Sequence, residues 1–229
     1  MSTDRKLPPV CLLAGGKGSR LGSLTKSVPK PLLRVGGRPF IEWPLLQLRH
    51  AGFTNVVLAI GYQGYQIRDH IGDGRGLGID VAYVEDGPAP LGTLGAVRAA
   101  LGFLSDQVPV MYADTILQMD FAGVVEEHAR AGYAGMMSVL RNDNRDDVSN
   151  AVVSGDRVEA YGKAPVPSGA AWIDYGFLVI TRKVLAESCG ADLAPLPASL
   201  AASDDLGAFV VSARFHEVGT PASLAATDA

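Results

Sequence analysis

The sequence predicts an α/β fold built on a mostly parallel sheet covered on both faces. Three features carry that expectation. Short apolar runs alternate with helical stretches as far as about residue 140. The run Asn55–Ile60 is apolar almost throughout, as a strand buried on both sides must be. The first run, Val10–Leu13, opens directly into a glycine-rich loop. Together they describe repeated βαβ units.

Each element follows from its own residues. Val10–Leu13 is the first strand. A helix is expected from Pro39 to Ala51, with Pro39 suited to a first turn and Gly52 as its stop. Asn55–Ile60 is a strand and Gln63–Ile71 a short helix. The glycines between residues 72 and 78 do not follow a strand and read as a helix-to-strand connection. Asp80–Val84 is the next strand, Thr93–Leu104 the next helix, and Val108–Tyr112 a strand running into Asp114. Phe121–Ala131 is a helix and Gly135–Leu140 a strand. Beyond about residue 141 the rhythm changes. Ala151–Ser154 and Arg157–Tyr161 form a hairpin around Gly155-Asp156, and Ile173–Thr181 is a longer strand. Helices are expected at Lys183–Glu187 and near 194–201, and strands at Ala208–Val211 and Phe215–Val218. Ala164–Gly169 is the most loop-like stretch, either a plain connector or a flap. No internal repeat is visible.

Composition narrows the function classes. The 229 residues are 48% hydrophobic, enough for one large α/β domain and short for two. Net charge is -4 without a basic run, which argues against a nucleic-acid partner. After Met1, residues 2–6 are polar, and the apolar run after them is too short for a signal peptide or a membrane span, so a cytoplasmic location is expected. Cys11 and Cys189 lack metal-ligand spacing, and Cys11 reads as a small core residue. His50, His70 and His128 are expected on helix surfaces. His216 reads as solvated or packed. The apolar helices near the C-terminus leave core and homo-oligomer interface both open.

The chemistry concentrates in Leu13-Ala14-Gly15-Gly16-Lys17-Gly18-Ser19-Arg20-Leu21 and, downstream, Pro29-Lys30-Pro31-Leu32. A strand opening into glycines presents backbone N–H groups to an anion, and Arg20 and Lys30 add two cations. Such a set suits a triphosphate attacked at its α-phosphorus. A Walker loop is excluded because Lys17 is followed by Gly18 rather than Ser or Thr. A dinucleotide fingerprint is excluded because Leu21 stands where its third glycine belongs.

These two segments resemble the signature of the sugar-1-phosphate nucleotidyltransferases, or sugar-nucleotide pyrophosphorylases. The likeness runs from Val10 to about Leu224. Among the branches, the chain is most similar to the D-glycero-D-manno-heptose 1-phosphate guanylyltransferase-like one, which lacks a β-helix domain. The resemblance implies a three-layer α/β/α sandwich with a mixed, mostly parallel sheet, the nucleotide-diphospho-sugar transferase fold. It implies a single domain over residues 1–229, with a nucleotide-binding half at about 8–140 and an acceptor-binding half at about 141–229. The implied reaction joins an NTP and a sugar 1-phosphate into an NDP-sugar and pyrophosphate. That reaction needs no covalent intermediate and no general base. It needs positioning and charge neutralisation, ordinarily through Mg²⁺.

Residue by residue, the resemblance assigns the loop residues Leu13, Ala14, Gly15, Gly16, Gly18 and Ser19, with Arg20, to the nucleotide phosphates, and Lys30 to the α-phosphate. Asp114, after the run Val110–Ala113, matches the family's metal-binding aspartate, with Ala113 in place of its usual glycine. Phe215-His216-Glu217-Val218-Gly219-Thr220-Pro221 resembles the late metal-binding motif, with Glu217 where the family has aspartate. Pro90-Leu91-Gly92-Thr93-Leu94-Gly95-Ala96 resembles the segment over base and ribose, which assigns Gly92 and Thr93 to the nucleotide. Glu85 could accept hydrogen bonds from guanine N1–H and N2–H₂, which favours GTP. On the acceptor side the resemblance points to Asn150, Lys163, Asp174 and Tyr175, with Gly162 where relatives have an acidic residue before the lysine. Other readings on the same fold are transfer to a cyclitol or other non-sugar phosphate, and a glycosyltransferase. The latter is disfavoured, since Asp114-Thr115-Ile116 is no Asp-x-Asp motif. A non-catalytic nucleotide sensor is a further alternative, although Arg20, Lys30 and Asp114 are all present.

Overall fold

The computed structural model describes residues 6–145 and 147–228. In chain order its elements are β1 (Val10–Leu13), β2 (Arg34–Val35), β3 (Arg38–Pro39), α1 (Glu42–His50), β4 (Asn55–Ile60), α2 (Gly64–Ile71), β5 (Asp80–Glu85) and α3 (Gly92–Ala100). Then come β6 (Gln107–Tyr112), β7 (Thr115–Ile116), α4 (Phe121–Ala131), β8 (Gly135–Arg141), β9 (Ala151–Ser154), β10 (Arg157–Tyr161) and β11 (Trp172–Thr181). The chain ends with α5 (Arg182–Glu187), α6 (Pro195–Ala202), β12 (Leu206–Val211), β13 (His216–Glu217) and α7 (Pro221–Asp228).

Nine strands form one sheet in the order β5-β4-β1-β6-β11-β8-β12-β10-β9. β5, β4, β1 and β6 are parallel neighbours, as are β8 and β12. β11 lies antiparallel between β6 and β8, and β10 antiparallel between β12 and β9. The strands of the second half therefore continue the sheet of the first.

Both faces are covered, and side-chain alternation explains how. Val10 and Leu12 of β1 enter one core with Leu45 and Leu48 of α1, Ile67 of α2, and Phe121 and Val124 of α4. Cys11 and Leu13 enter the opposite core with Leu94 and Val97 of α3, Leu185 of α5 and Leu200 of α6. A strand sandwiched this way has no polar face, which is why β1 and β4 read as unbroken apolar runs. Burial pushes the Cys11 thiol up to about 12, as for an inert core residue. Helix α6 spends Leu200 and Ala201 on this core.

Several expected elements are revised. The first helix begins at Glu42 rather than Pro39, because Arg38–Pro39 instead pairs with Arg34–Val35 as a small ribbon. The helix after Gly92 stops at Ala100 and tightens into a 3₁₀ turn over Leu101–Phe103. The strand expected at Phe215–Val218 shrinks to His216–Glu217 and pairs with β7 outside the main sheet. His128 is not on a surface: it is 4% exposed at the end of α4, with Nδ1 beside Gln107 Nε2 at 2.9 Å. Among the described residues, no helix is long and apolar enough to cross a membrane.

Candidate active site

Because β1, β4, β5 and β6 are parallel, their C-terminal ends meet on one edge of the sheet, where α/β folds bind ligands. A cleft of about 750 Å³ opens there. Leu13, Ala14, Gly15, Gly16, Gly18, Ser19 and Arg20 line one wall, and Lys30 and Asp114 close its end. Gly92 and Thr93, at the start of α3, line the opposite side.

The loop is held open by its own sequence. Gly18 adopts φ 62°, and a Cβ there would stand 3.0 Å from Lys30 Cβ and 3.1 Å from Thr25 Cγ2. Only glycine satisfies both the backbone and that approach. Thr25, buried beneath the loop, donates its hydroxyl to the Gly18 carbonyl at 3.2 Å. The Ala14 N–H is taken by the Ala59 carbonyl of β4 at 2.8 Å, which anchors the loop to the sheet.

Lys30 sits in the 3₁₀ turn Lys30–Leu32, and its ammonium touches Asp114 Oδ2 at 2.6 Å. The lysine side chain is 11% exposed and the Asp114 side chain 33%, so the pair is buried on the lysine side and open to the cleft on the carboxylate side. Glu217 reaches the same place through the β7–β13 ribbon, in which it pairs with Thr115 while the Val218 N–H donates to the Asp114 carbonyl at 2.9 Å. Burial first, and then the Asp114 carboxylate, raise the Glu217 pKa above its ordinary value. Lys30 and Arg20 oppose that rise. Two hard carboxylates, one raising the other's proton affinity, beside a glycine loop and two cations are donors that fit a divalent cation of the Mg²⁺ type. Glu217 does not line the main cleft, which Gly219 reaches instead, but an adjoining pocket of about 200 Å³ that also contains Asp147.

The base side needs a correction. Glu85 does not line the cleft. Its carboxylate pairs with Arg68 of α2 at 2.5 Å, with both side chains half-exposed. Successive residues of an extended chain point to opposite faces, so it is Asp86 that lines the cleft beside Gly15 and Gly61. Asp86 Oδ1 accepts from the Leu91 N–H at 3.0 Å.

On the acceptor side, β10 and β11 bring Lys163 and Asp174 together, with Nζ 4.0 Å from Oδ2. They line a pocket of about 20 Å³ with Tyr112 and Tyr161, and Tyr112 lines the main cleft as well. Tyr161 donates to Asp174 Oδ2 at 3.1 Å, and the Gly176 N–H donates to Oδ1 at 3.0 Å. Tyr175 is not brought to this place. Strand alternation sends it to the opposite core, 1% exposed, edge-on to Phe215 and bonded to the Gln118 backbone. Asn150 lines neither cavity: it is buried, and its Oδ1 accepts from the Asp174 N–H at 2.9 Å, locking β11 in place. Burial and then Asp174 raise the pKa of both Tyr112 and Tyr161, keeping them as hydroxyl donors.

Sequence reasoning missed Asp86, Tyr112, Tyr161 and helix α7. The parity of β5 could have separated Asp86 from Glu85. Thr220 and Ser223, which cap α7 reciprocally at 2.9 and 3.1 Å, carried a helix-start signal before the small-residue run.

A glycine loop, Arg20, Lys30 and Asp114 thus meet at the C-terminal edge of the parallel strands of an α/β protein. The chain belongs to the Nucleotidyl transferase family, whose model matches residues 10–177. It is 39% identical over 116 residues to the N-acetylmuramate alpha-1-phosphate uridylyltransferase of Neisseria meningitidis serogroup B, a match covering 50% of each chain. It is 34% identical over 111 residues to the D-glycero-alpha-D-manno-heptose 1-phosphate guanylyltransferase of Campylobacter jejuni, covering 48% of this chain and 49% of that one. The chain thus spans about half the length of these curated relatives. The crystal structure of HddC from Yersinia pseudotuberculosis superposes with a TM-score of 0.81 at 22% identity, covering 96% of this chain and 98% of that one. The fold is that of the nucleotide-diphospho-sugar transferases.

Proposed function

We propose that this chain transfers a nucleoside monophosphate from an NTP to a sugar 1-phosphate, forming an NDP-sugar and pyrophosphate with Mg²⁺ as cofactor. The pair we assign is GTP and a heptose 1-phosphate. The observation that carries the reading is the convergence of the loop amides, Arg20 and the Lys30–Asp114 pair on one cleft.

In this reading the loop amides and Arg20 hold the β- and γ-phosphates. An oxygen of the acceptor phosphate attacks the α-phosphorus in line, and the bond to the bridging β-oxygen breaks. The acceptor phosphate is already ionised, so no residue has to remove a proton. Lys30 exchanges Asp114 for the α-phosphate and stabilises charge developing there. Asp114 and Glu217 would hold Mg²⁺, which supplies charge neutralisation and a common anchor for the two substrates' phosphates. Lys163 takes the acceptor phosphate, and Asp174 accepts from sugar hydroxyls.

Asp86 supports guanine. A carboxylate accepts from guanine N1–H and N2–H₂ together, whereas uracil offers N3–H alone. The heptose assignment leans on the Campylobacter jejuni relative named for that substrate. The test is pyrophosphate release with Mg²⁺ across GTP, ATP, CTP, UTP and dTTP against a panel of sugar 1-phosphates that includes heptose. Release from GTP with heptose 1-phosphate, lost in Asp114→Ala, is expected. Release from another pair keeps the reaction and overturns the specificity. No release from any pair, with nucleotide still bound, turns the reading toward a non-sugar phosphate or a sensor.

A further inference from the structure

The first turn of α3 lines the nucleotide cleft, yet its outward side is covered by a segment from the acceptor half. The Ala191 carbonyl accepts from the Leu94 N–H at 2.8 Å and from the Gly95 N–H at 3.4 Å. The Thr93 hydroxyl donates to Asp192 Oδ1 at 3.0 Å and accepts from the Leu193 N–H at 2.7 Å. Gly92, at φ +74°, must be glycine, since a Cβ would collide with the Ala191 carbonyl. The two residues after Asp192, Leu193 and Ala194, line the small pocket that contains Lys163 and Asp174. Asp192 itself lines neither cavity, but it bonds Thr93, which lines the cleft, and precedes Leu193 and Ala194, which line the pocket.

Its carboxylate is half used. Oδ1 takes both the Thr93 hydroxyl and the Ala194 N–H, the latter at 3.1 Å, and the side chain is otherwise exposed. That leaves Oδ2, fixed in orientation by the two bonds on its twin. Burial first, then the charge of Asp174 and, more weakly, that of Asp192 raise the pKa values of the Tyr112 and Tyr161 hydroxyls. The turn that carries Lys163 adds no side chain from position 162, where a Cβ would stand 2.6 Å from the Pro165 carbonyl.

We propose that Asp192 is a specificity-determining residue of the acceptor site, its Oδ2 accepting hydrogen bonds from ring hydroxyls of a sugar 1-phosphate whose phosphate lies on Lys163. Thr93 is its positioning residue and ties the acceptor contact to the helix that borders the nucleotide. The proposal rests on the nucleotidyl-transfer reading and adds the residue that chooses among polyhydroxylated acceptors.

Asp192→Asn is the discriminating variant. Its amide oxygen can keep the bonds to Thr93 and Ala194, while Oδ2 alone becomes a donor. Steady-state pyrophosphate release is measured with the best acceptor of the panel and with its monodeoxy analogues. The expected result is an acceptor KM raised about tenfold or more, an NTP KM within twofold, and lost discrimination against one deoxy analogue that the wild type disfavours. An acceptor KM and deoxy profile like the wild type in Asp192→Asn, alongside a lowered melting temperature in Asp192→Ala, would reduce Asp192 to a cap of α6 and overturn the proposal. A wild type active on sugar 1-phosphates separates that failure from failure of the reaction itself. A wild type inactive on every pair overturns both.

Discussion

The two halves of the cleft are built from different materials. The side we assign to the nucleotide is largely backbone, with the loop at the end of β1, the Gly61 turn after β4 and the start of α3, to which Arg20 and Asp86 add side chains. The side we assign to the acceptor is made of side chains, Tyr112 on β6, Tyr161 on β10, Lys163 just after it and Asp174 on β11, which line one small pocket. In the proposed reading the backbone donors bind what every nucleoside triphosphate shares and survive substitution, while Arg20 and Asp86 add the side chains that can be changed on that side. A side-chain site is re-specified by changing one residue. The difference teaches where reaction class and substrate choice reside in this fold.

The largest effect is expected where the halves meet. Asp114 lies at the end of β6, against Lys30 and beside Glu217. Asp114→Ala should lower kcat by about 10³-fold or more, with NTP binding by calorimetry changed far less. Equal loss of binding and turnover would break the division, since it would make Asp114 part of the nucleotide grip.

A smaller effect separates two adjacent carboxylates. Asp86 faces the cleft, and Glu85 pairs with Arg68 outside it. Asp86→Asn should cut the ratio of kcat/KM for GTP over UTP by roughly tenfold or more, while Glu85→Gln leaves it within about twofold. The reverse outcome would mean that the strand end turns over when nucleotide binds. The same parity test applies on β11. Asp174→Asn should raise the acceptor KM by about tenfold. Tyr175→Phe should leave KM within twofold and cost about 1 kcal/mol of stability through the lost Gln118 bonds, or about 2–4 °C in Tm. A raised KM in Tyr175→Phe would blur the boundary between pocket and core.

How much of this was legible in the sequence follows from the same contrast. The nucleotide side was readable because glycines mark places where backbone must approach a ligand or take φ > 0, as at Gly18. Strand limits such as Val10–Leu13 and Asn55–Ile60 were readable because burial on two faces leaves no polar residue inside. The acceptor side was readable only in part: Lys163 and Asp174 were named and meet in the pocket, but Tyr112 and Tyr161 were not, because membership depends on which way each strand residue points. Asp174 and Tyr175 are neighbours in sequence, yet one lines the pocket and the other lies in the opposite core. Asp192 was invisible for another reason. It meets Thr93 across 99 positions of chain, and no local pattern announces a contact that the sheet order creates.

The smallest expected effect belongs to neither half. His128 closes the last turn of α4 near the start of β6, at the end of the parallel strands remote from the cleft. Its ring is buried, Nδ1 is engaged with Gln107, and Nε2 has no hydrogen-bond partner among the described residues. Backbone at Tyr133 and Ala134 and the charge of Asp205 favour the protonated ring, but burial outweighs them and holds the His128 pKa below its ordinary value. In the unfolded chain the same ring takes a proton near pH 6.5, before the folded one does. Its neutral burial therefore stabilises the fold fully above that pH, and the contribution is lost as pH falls from about 6.5 toward the lower folded value. Melting temperature should drop on acidification across that window, by about 2–4 °C for each kcal/mol lost. His128→Gln, which cannot titrate, should flatten that part of the profile. The two halves share one sheet, so NTP and acceptor binding should fail together as the protein is acidified toward its melting point. Selective loss of acceptor binding would show that the second half can loosen while the parallel strands hold, and would turn the contrast in materials into one in stability.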